Sequence, residues 1–269
     1  MQVSHNLGGN FALYNLETIV QQTKISEWLE ALDRPNKQML RAAVEGLIAA
    51  LPDSPETGRN LLLLLRDPER KNRWPIAYIL AHLPQPPDDS LEILLDALDH
   101  PDPDVRWAVI LLLARLTKEQ ESIVQLTTSV IATGTATQRR MVIYYLKELK
   151  RRSEAVRQAL LAALNDSDPT VRVAAVISLK DQDVDSNGKT TLLNLLMRDA
   201  DVRVQHAAAI TLASLGSPSE EFLSALNHAT QSAQEPLKKA ALAAQRILQE
   251  KKEVRPIRQL TSPVRRTSS

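Results

Sequence analysis

Short apolar segments with a helical period fill most of the chain. Residues 98–116 and 164–179 show the same order: the end of one apolar helix, an acidic turn containing Pro, and Val-Arg opening a second apolar helix. In the second segments, apolar residues recur at the spacing of one helix face. Gly is scarce, at 7 residues, and Ala and Leu are abundant, so intrinsic propensity also favours helix over strand. The pattern predicts an all-α protein.

The two segments belong to a repeat that covers most of the sequence. With the Arg of Val-Arg as a marker, matching positions follow at an interval of 32 residues and then at 33 five times. The markers are Arg41, Arg73, Arg106, Arg139, Arg172, Gln205 and Lys238. A fixed period of this length indicates stacked helix pairs that bury their apolar faces against one another. We expect about seven pairs over residues 25–250, a cap segment over 1–24, and a disordered basic tail over 251–269, which lacks an apolar period.

The turns carry start signals for the second helix of each pair. Pro169 suits a first helical position, where the missing N–H costs nothing. Asp168 and Asp201 suit the capping position and the positive end of the helix dipole. The marker side chains Arg106 and Arg172 are expected to be structural, each tying its turn to an Asp of the neighbouring repeat.

The sequence Asp-Pro-Thr-Val-Arg-Val-Ala-Ala at 168–175 resembles the HEAT repeats that include the phycobilisome-lyase-like group. The resemblance covers about residues 25–250 and implies a right-handed α-α superhelix, a HEAT-like solenoid. The first, fourth and seventh repeats depart from the motif. In the fourth, Gly-Thr-Ala-Thr at 134–137 replaces the Asp-Pro turn, which points to a change in stacking angle. Such a fold hosts many functions, so function has to be argued from particular side chains.

Helix geometry separates two faces of each second helix. If the residue before the marker is position 1, positions 1, 5, 8, 9 and 12 lie on one side and are the predicted core, and positions 3, 7, 10 and 14 lie opposite. In HEAT-like stacks the second helices line the concave surface, which makes the latter set a candidate binding stripe. Trp, Tyr and Arg are the residues that anchor interfaces. The predicted partner-binding residues are Trp74, Tyr78, Trp107, Leu111, Arg140, Tyr144, Lys147 and Arg151.

Two alternatives to this stripe remain open at the level of sequence. Superhelical twist could turn position 3 inward, so that Trp74 and Trp107 pack against their own scaffold. A basic cluster between Arg139 and Arg157 could bind nucleic acid, in the manner of the HEAT-like alkylpurine DNA glycosylases that the chain resembles. However, 33 Lys and Arg residues nearly balance 32 Asp and Glu residues, so no whole-molecule field attracts nucleic acid.

The leading hypothesis is a non-catalytic scaffold that holds a segment of a partner protein in its concave groove. The aromatic side chains would be apolar anchors, and Arg140, Lys147 and Arg151 would select an acidic partner. A third hypothesis, an accessory role in bilin attachment, rests on the phycobilisome-lyase resemblance alone.

Catalytic signatures are absent from the sequence. The chain has no Cys, and none of its five His residues is followed by Glu or has a second His three or four positions on, which argues against a helical metal motif and against the His-Glu sites of the HEAT-like deoxyhypusine hydroxylases. No catalytic residue, metal or cofactor is predicted. The start of the chain lacks a signal-peptide pattern and no apolar run approaches a membrane span. We expect a cytoplasmic monomer with no membrane partner.

Overall fold

A computed structural model describes residues 7–34, 36–118, 122–150, 154–216 and 218–260. Within these ranges the chain forms fourteen α-helices and no strand, so the predicted all-α class is confirmed. The helices follow one another in seven pairs, as the sequence period predicts. The chain divides into two compact units, with the division after Leu112 in the sixth helix. We call residues up to Leu112 unit 1 and residues from Leu113 unit 2, and describe each separately.

Unit 1 contains the first three pairs. Its helices are α1 Leu7–Ala31, α2 Lys37–Ala50, α3 Pro55–Leu65, α4 Trp74–Leu80, α5 Asp88–Asp96 and α6 Pro103–Leu116, of which α6 ends inside unit 2. Helix α4 is only 7 residues long and has no side-chain cap. Pro75 at its second position has no N–H to donate, which a helix tolerates only in its first turn, and this helps to explain why the helix does not begin a turn earlier.

Unit 2 contains the remaining four pairs. Its helices are α7 Ser122–Thr133, α8 Ala136–Glu148, α9 Glu154–Ala163, α10 Pro169–Ser178, α11 Ser186–Arg198, α12 Val202–Leu215, α13 Glu220–Thr230 and α14 Glu235–Leu260. Asp168 accepts a hydrogen bond from the backbone N–H of Thr170, and Asp201 accepts one from that of Arg203. Both predicted caps are therefore confirmed. Helix α10 packs against both α8 and α12, so second helices lie side by side.

Two expected segment boundaries fall inside helices. Helix α1 runs through position 24, and α14 continues to Leu260. Residues 251–260 are thus helical where disorder was expected, and residues 261–269 lie outside the described residues. The physical reason is that an apolar period reports packing against a core, whereas straight-chain charged residues such as Lys251 have good helix propensity without one.

The predicted core positions are buried. In the third repeat they are at most 8% exposed, and the same limit holds in the fifth repeat. They are Val105, Val109, Leu112, Leu113 and Leu116 in the third, and Val171, Ala175, Ser178, Leu179 and Gln182 in the fifth. The face opposite the stripe is therefore the core face, as helix geometry predicts.

Two marker arginines of unit 2 hold successive turns together. Arg139 donates two hydrogen bonds to the carboxylate of Asp166, from Nε at 2.8 Å and Nη2 at 2.6 Å. Arg172 makes the same pair with Asp199, at 2.8 and 2.7 Å. Such bidentate pairs are among the stronger charged hydrogen bonds. The structural role predicted for Arg172 is confirmed, and Arg139 shares it.

Arg106 of unit 1 departs from this pattern. Its Nη1 donates to the backbone carbonyls of His100 and Pro101, and its buried Nε has no hydrogen-bond partner in the described structure. The carboxylates of Asp166 and Asp199 lie 27 residues after their arginines, and the residue 27 positions after Arg106 is Thr133. Arg106 is therefore structural through its own turn, while the expected tie to an Asp is wrong for this residue.

Candidate functional site

A groove in unit 1 contains two of the predicted anchor residues. It has a volume of about 840 Å³, and α4 contributes Trp74 and Tyr78 to its lining. One side is formed by α2, for example through Val44 and Ile48, and the other by the start of α6 through Val105. Trp74 and Tyr78 are half-buried rather than part of the core. Both side chains are therefore placed where a ligand in the groove would touch them.

The aromatic side chains of the groove form a continuous series. The ring of Trp74 meets that of Tyr78 edge-on, with centroids 6.5 Å apart, and that of His100 at 5.8 Å. Tyr78 in turn lies 5.2 Å from the ring of His82. The His82 Nδ1 lies 2.9 Å from the backbone carbonyl of Tyr78, so this nitrogen carries the proton and donates. The four rings therefore form one chain of contacts.

An ion pair joins the first and third repeats beside the groove. Lys37 at the start of α2 reaches the carboxylate of Asp102 at 2.5 Å and that of Asp104 at 3.5 Å. The hydrogen bond from Lys37 is the main cause that lowers the pKa of Asp102. Lys37 remains 73% exposed, so the pair is a solvated one of small energy. It marks one boundary of the groove without closing it.

Trp107 and Leu111 lie one turn apart on α6, at positions 3 and 7 of the third repeat. Trp107 is 42% exposed and Leu111 is 57% exposed, although core residues of the same helix are almost fully buried. The alternative in which position 3 turns inward therefore does not hold for Trp107. That Trp107 and Trp74 form one row of neighbours stays a prediction.

In unit 2 the predicted stripe residues Arg140, Tyr144 and Lys147 are all half-buried on α8. The Nε of Arg140 is buried and has no hydrogen-bond partner in the described structure. Arg151 lies outside the described residues. Because unit 1 and unit 2 are separate compact bodies, the eight predicted residues form two groups: four in unit 1 and three described ones in unit 2.

The basic cluster is partly neutralised by the protein itself. Arg139 is paired with Asp166, and Arg157 lies between Glu154 at 2.5 Å and Asp185 at 3.0 Å. The hydrogen bonds that Arg157 donates to the Glu154 carboxylate lower the pKa of that group. Two of the cations that suggested a phosphate-binding surface therefore already have carboxylate partners.

Sequence reasoning missed several residues of the unit 2 face. Positions 3, 7 and 10 of the fifth and sixth repeats are also outside the core, with the exception of a buried Ala213. The residues missed are Val173, Ile177, Lys180 and Ile210. They stand at the same repeat positions as the predicted anchors. They were not predicted because the anchors were chosen mainly for their aromatic side chains.

The described residues hold neither a metal-ligand cluster nor a helix suited to a membrane. No three His, Asp or Glu side chains come together there as metal ligands would. None of the helices described combines the length and hydrophobicity that a membrane span would need.

The similarity of this chain to known proteins identifies its fold. A family model described as HEAT repeats matches residues 58–147 and 158–246, and no curated protein sequence matches the chain.

Among solved structures, an archaeal HEAT-like repeats protein from Thermococcus onnurineus is 14% identical with a TM-score of 0.46, covering 84% of this chain and 97% of that one. The S. pombe condensin Cnd3–Cnd2 subcomplex is 18% identical with a TM-score of 0.48, over 82% of this chain and 32% of that one. Human deoxyhypusine hydroxylase is 16% identical with a TM-score of 0.39, over 88% of this chain and 99% of that one. At such low identities and TM-scores, none of these likenesses says anything about activity or partners.

Proposed function

The chain belongs to the HEAT-repeat family, and from that premise we propose that it is a non-catalytic scaffold that binds a segment of a partner protein. Contact would be made by the open faces of the second helices, with Trp74, Tyr78, Trp107 and Leu111 as anchors in unit 1. In unit 2 the anchors would be Arg140, Tyr144 and Lys147, with Arg151 beyond them in sequence. Extended surfaces of stacked second helices are what solenoids offer to other proteins.

The observation that carries the proposal is the exposure of Trp107 and Leu111. More than half of the Leu111 side chain faces solvent on the side opposite the core. Covering that part with a partner would contribute about 1 kcal/mol. The neighbouring Trp107 is a residue type enriched at binding hot spots, and large apolar side chains that adjoin at the surface mark interaction sites more often than isolated ones.

Nucleic-acid binding is the weaker alternative. It would use the basic cluster, yet Arg139 and Arg157 are already paired with carboxylates, and the net charge of the whole chain is only +1. No observation in the described residues favours a role in bilin attachment.

The test is affinity capture from a lysate of the source organism, washed at low and at high salt. We expect a defined protein to remain at high salt with the wild type and to be lost with Trp107→Ala. Leu63→Ala is the matched control, since Leu63 is an exposed apolar residue of α3 at 71% exposure. Far-UV circular dichroism should show equal helicity for all three proteins, because none of these side chains is in the core.

Capture of the same protein by Trp107→Ala would contradict the proposal. Nucleic acid that is released as salt rises, in place of a protein, would favour the alternative.

A further inference from the structure

We infer that the open face of unit 2 accepts an acidic peptide segment whose apolar side chains lie in one row and are flanked by carboxylates. This inference rests on the proposed function and names the chemistry of the partner. It is carried by an apolar row and by unpaired cations, both on the face formed by α8, α10 and α12.

The apolar row occupies position 7 of three successive second helices. It consists of Tyr144 on α8, Ile177 on α10 and Ile210 on α12. Ile177 is 40% exposed, and Tyr144 and Ile210 are half-buried. The middle helix packs against both of the others, so the three side chains follow one another across adjacent helices.

Small residues beside the row keep α10 and α12 close together. Positions 4 and 6 of α10 and α12 are buried, at most 8% exposed, and three of these four residues are Ala. They are Ala174, Val176, Ala207 and Ala209. Packed helices lie about 8 to 10 Å apart, so a row over three helices is about 16 to 20 Å long. That length matches five or six residues of an extended segment at about 3.3 Å each.

Cations flank this row on both sides. Arg140 and Lys147 lie at positions 3 and 10 of the fourth repeat on α8, and Lys180 lies at position 10 of the fifth repeat, in the short 3-10 turn 179–181 that follows α10. Among the described residues none of the three makes an ion pair or a side-chain hydrogen bond, and the Nε of Arg140 is buried without a partner. The marker arginines of the same helices, by contrast, are saturated by Asp166 and Asp199.

Two carboxylates directly follow Lys147 and Lys180 in sequence, but among the described residues neither forms an ion pair with a flanking cation. Glu148 and Asp181 stand at position 11, next to these cations in sequence, and line a hollow of about 330 Å³ with Lys147 and Lys150. Positions 3, 7 and 10 of the fourth, fifth and sixth repeats carry three cations and no carboxylate, so the cations of this face outnumber the two carboxylates beside them. A partner with carboxylates beside its apolar residues would complement this pattern, and a basic one would be repelled.

The experiment is selection from a phage-displayed library of random 16-residue peptides on the full-length protein. We expect the enriched peptides to combine three regularly spaced apolar residues with flanking Asp or Glu. A synthetic copy should bind at least tenfold more weakly to Ile177→Asp and to Lys180→Glu than to wild type. Met197→Asp is the control, since Met197 is 47% exposed on α11, a first helix, and should leave affinity unchanged.

A charge exchange separates a direct contact from a structural effect. Replacing the carboxylates of the enriched peptide by Lys should abolish binding to wild type and restore part of it with Lys180→Glu. Enriched peptides that are neutral or basic, or that bind Ile177→Asp and Lys180→Glu as well as wild type, would overturn this inference and leave the proposed function standing. If no peptide of the library is enriched, the result would contradict both this inference and the proposed function.

Discussion

Removal of the Asp199 carboxylate tests how the repeats of unit 2 are held together. Asp199 is 4% exposed and accepts hydrogen bonds from Arg172 Nε at 2.8 Å, Arg172 Nη2 at 2.7 Å and the backbone N–H of Asp201 at 2.9 Å. Asp199→Ala leaves the guanidinium of Arg172 with two backbone carbonyls and without a counter-charge. Removing one partner of a buried ion pair costs about 3 to 5 kcal/mol. Arg172 is 15% exposed and can be partly hydrated, so we expect the low end of that range, about 3 kcal/mol.

The assay is urea unfolding followed by far-UV circular dichroism, because all three tryptophans lie in unit 1 and their fluorescence would not report on α10 to α12. Arg203→Ala is the matched control. Its partner Asp201 is in the same turn, but Arg203 is 61% exposed, so its loss should cost no more than about 1 kcal/mol. If Asp199→Ala lowers the free energy of unfolding no more than Arg203→Ala does, the marker arginines do not hold the turns together.

Three further predictions concern single side chains. Gly46→Ala should displace Trp28, because a Cβ at position 46 would lie 2.5 Å from Trp28 Cε2, and tryptophan fluorescence and the unfolding midpoint should both change. Gly58→Ala, where the nearest atom is 3.8 Å away, should instead raise the free energy of unfolding by up to about 1 kcal/mol; a loss would show that α3 does not accommodate a Cβ at this position. The pKa of Asp201 should be about 2, lowered from 3.8 chiefly by its hydrogen bond with Arg203, and carboxyl NMR titration should show it rising in Arg203→Ala. Because this pKa is lowered in the folded state, Asp201 adds stability above about pH 4 that is lost as pH falls toward 2; equal titration in both proteins would refute the assignment.

The repeat architecture could be predicted from the sequence because each second helix carries its own start signal and its own apolar face. Asp168, Pro169 and Asp201 act within a few residues of their sequence neighbours, and the burial of positions 1, 5, 8, 9 and 12 follows from helix geometry alone. Local rules therefore sufficed for the helices of the repeats and for their core.

The site was harder to predict because it depends on contacts between repeats. The ion pair from Lys37 to Asp102 joins the first and third repeats across a shortened α4, and nothing in the 33-residue register announces it. Arg106 has the marker sequence, but the residue 27 positions later is not a carboxylate. The importance of this 27-residue spacing becomes clear only from the structure, in which Arg139 and Arg172 each pair with an Asp at that distance. Aliphatic members of the unit 2 face, such as Ile177, lack the chemical signature that made Trp107 conspicuous.

The central claim, that the open side of the second helices is where a partner binds, can be tested most directly by site-specific photo-crosslinking. A benzoylphenylalanine side chain would replace Leu111 on the open side of α6 or Leu63 on α3, a first helix, both of which are largely exposed. After irradiation in lysate of the source organism, we expect one adduct of defined mass from position 111 and none from position 63. Adducts of equal yield from both positions, or from position 63 alone, would contradict that claim.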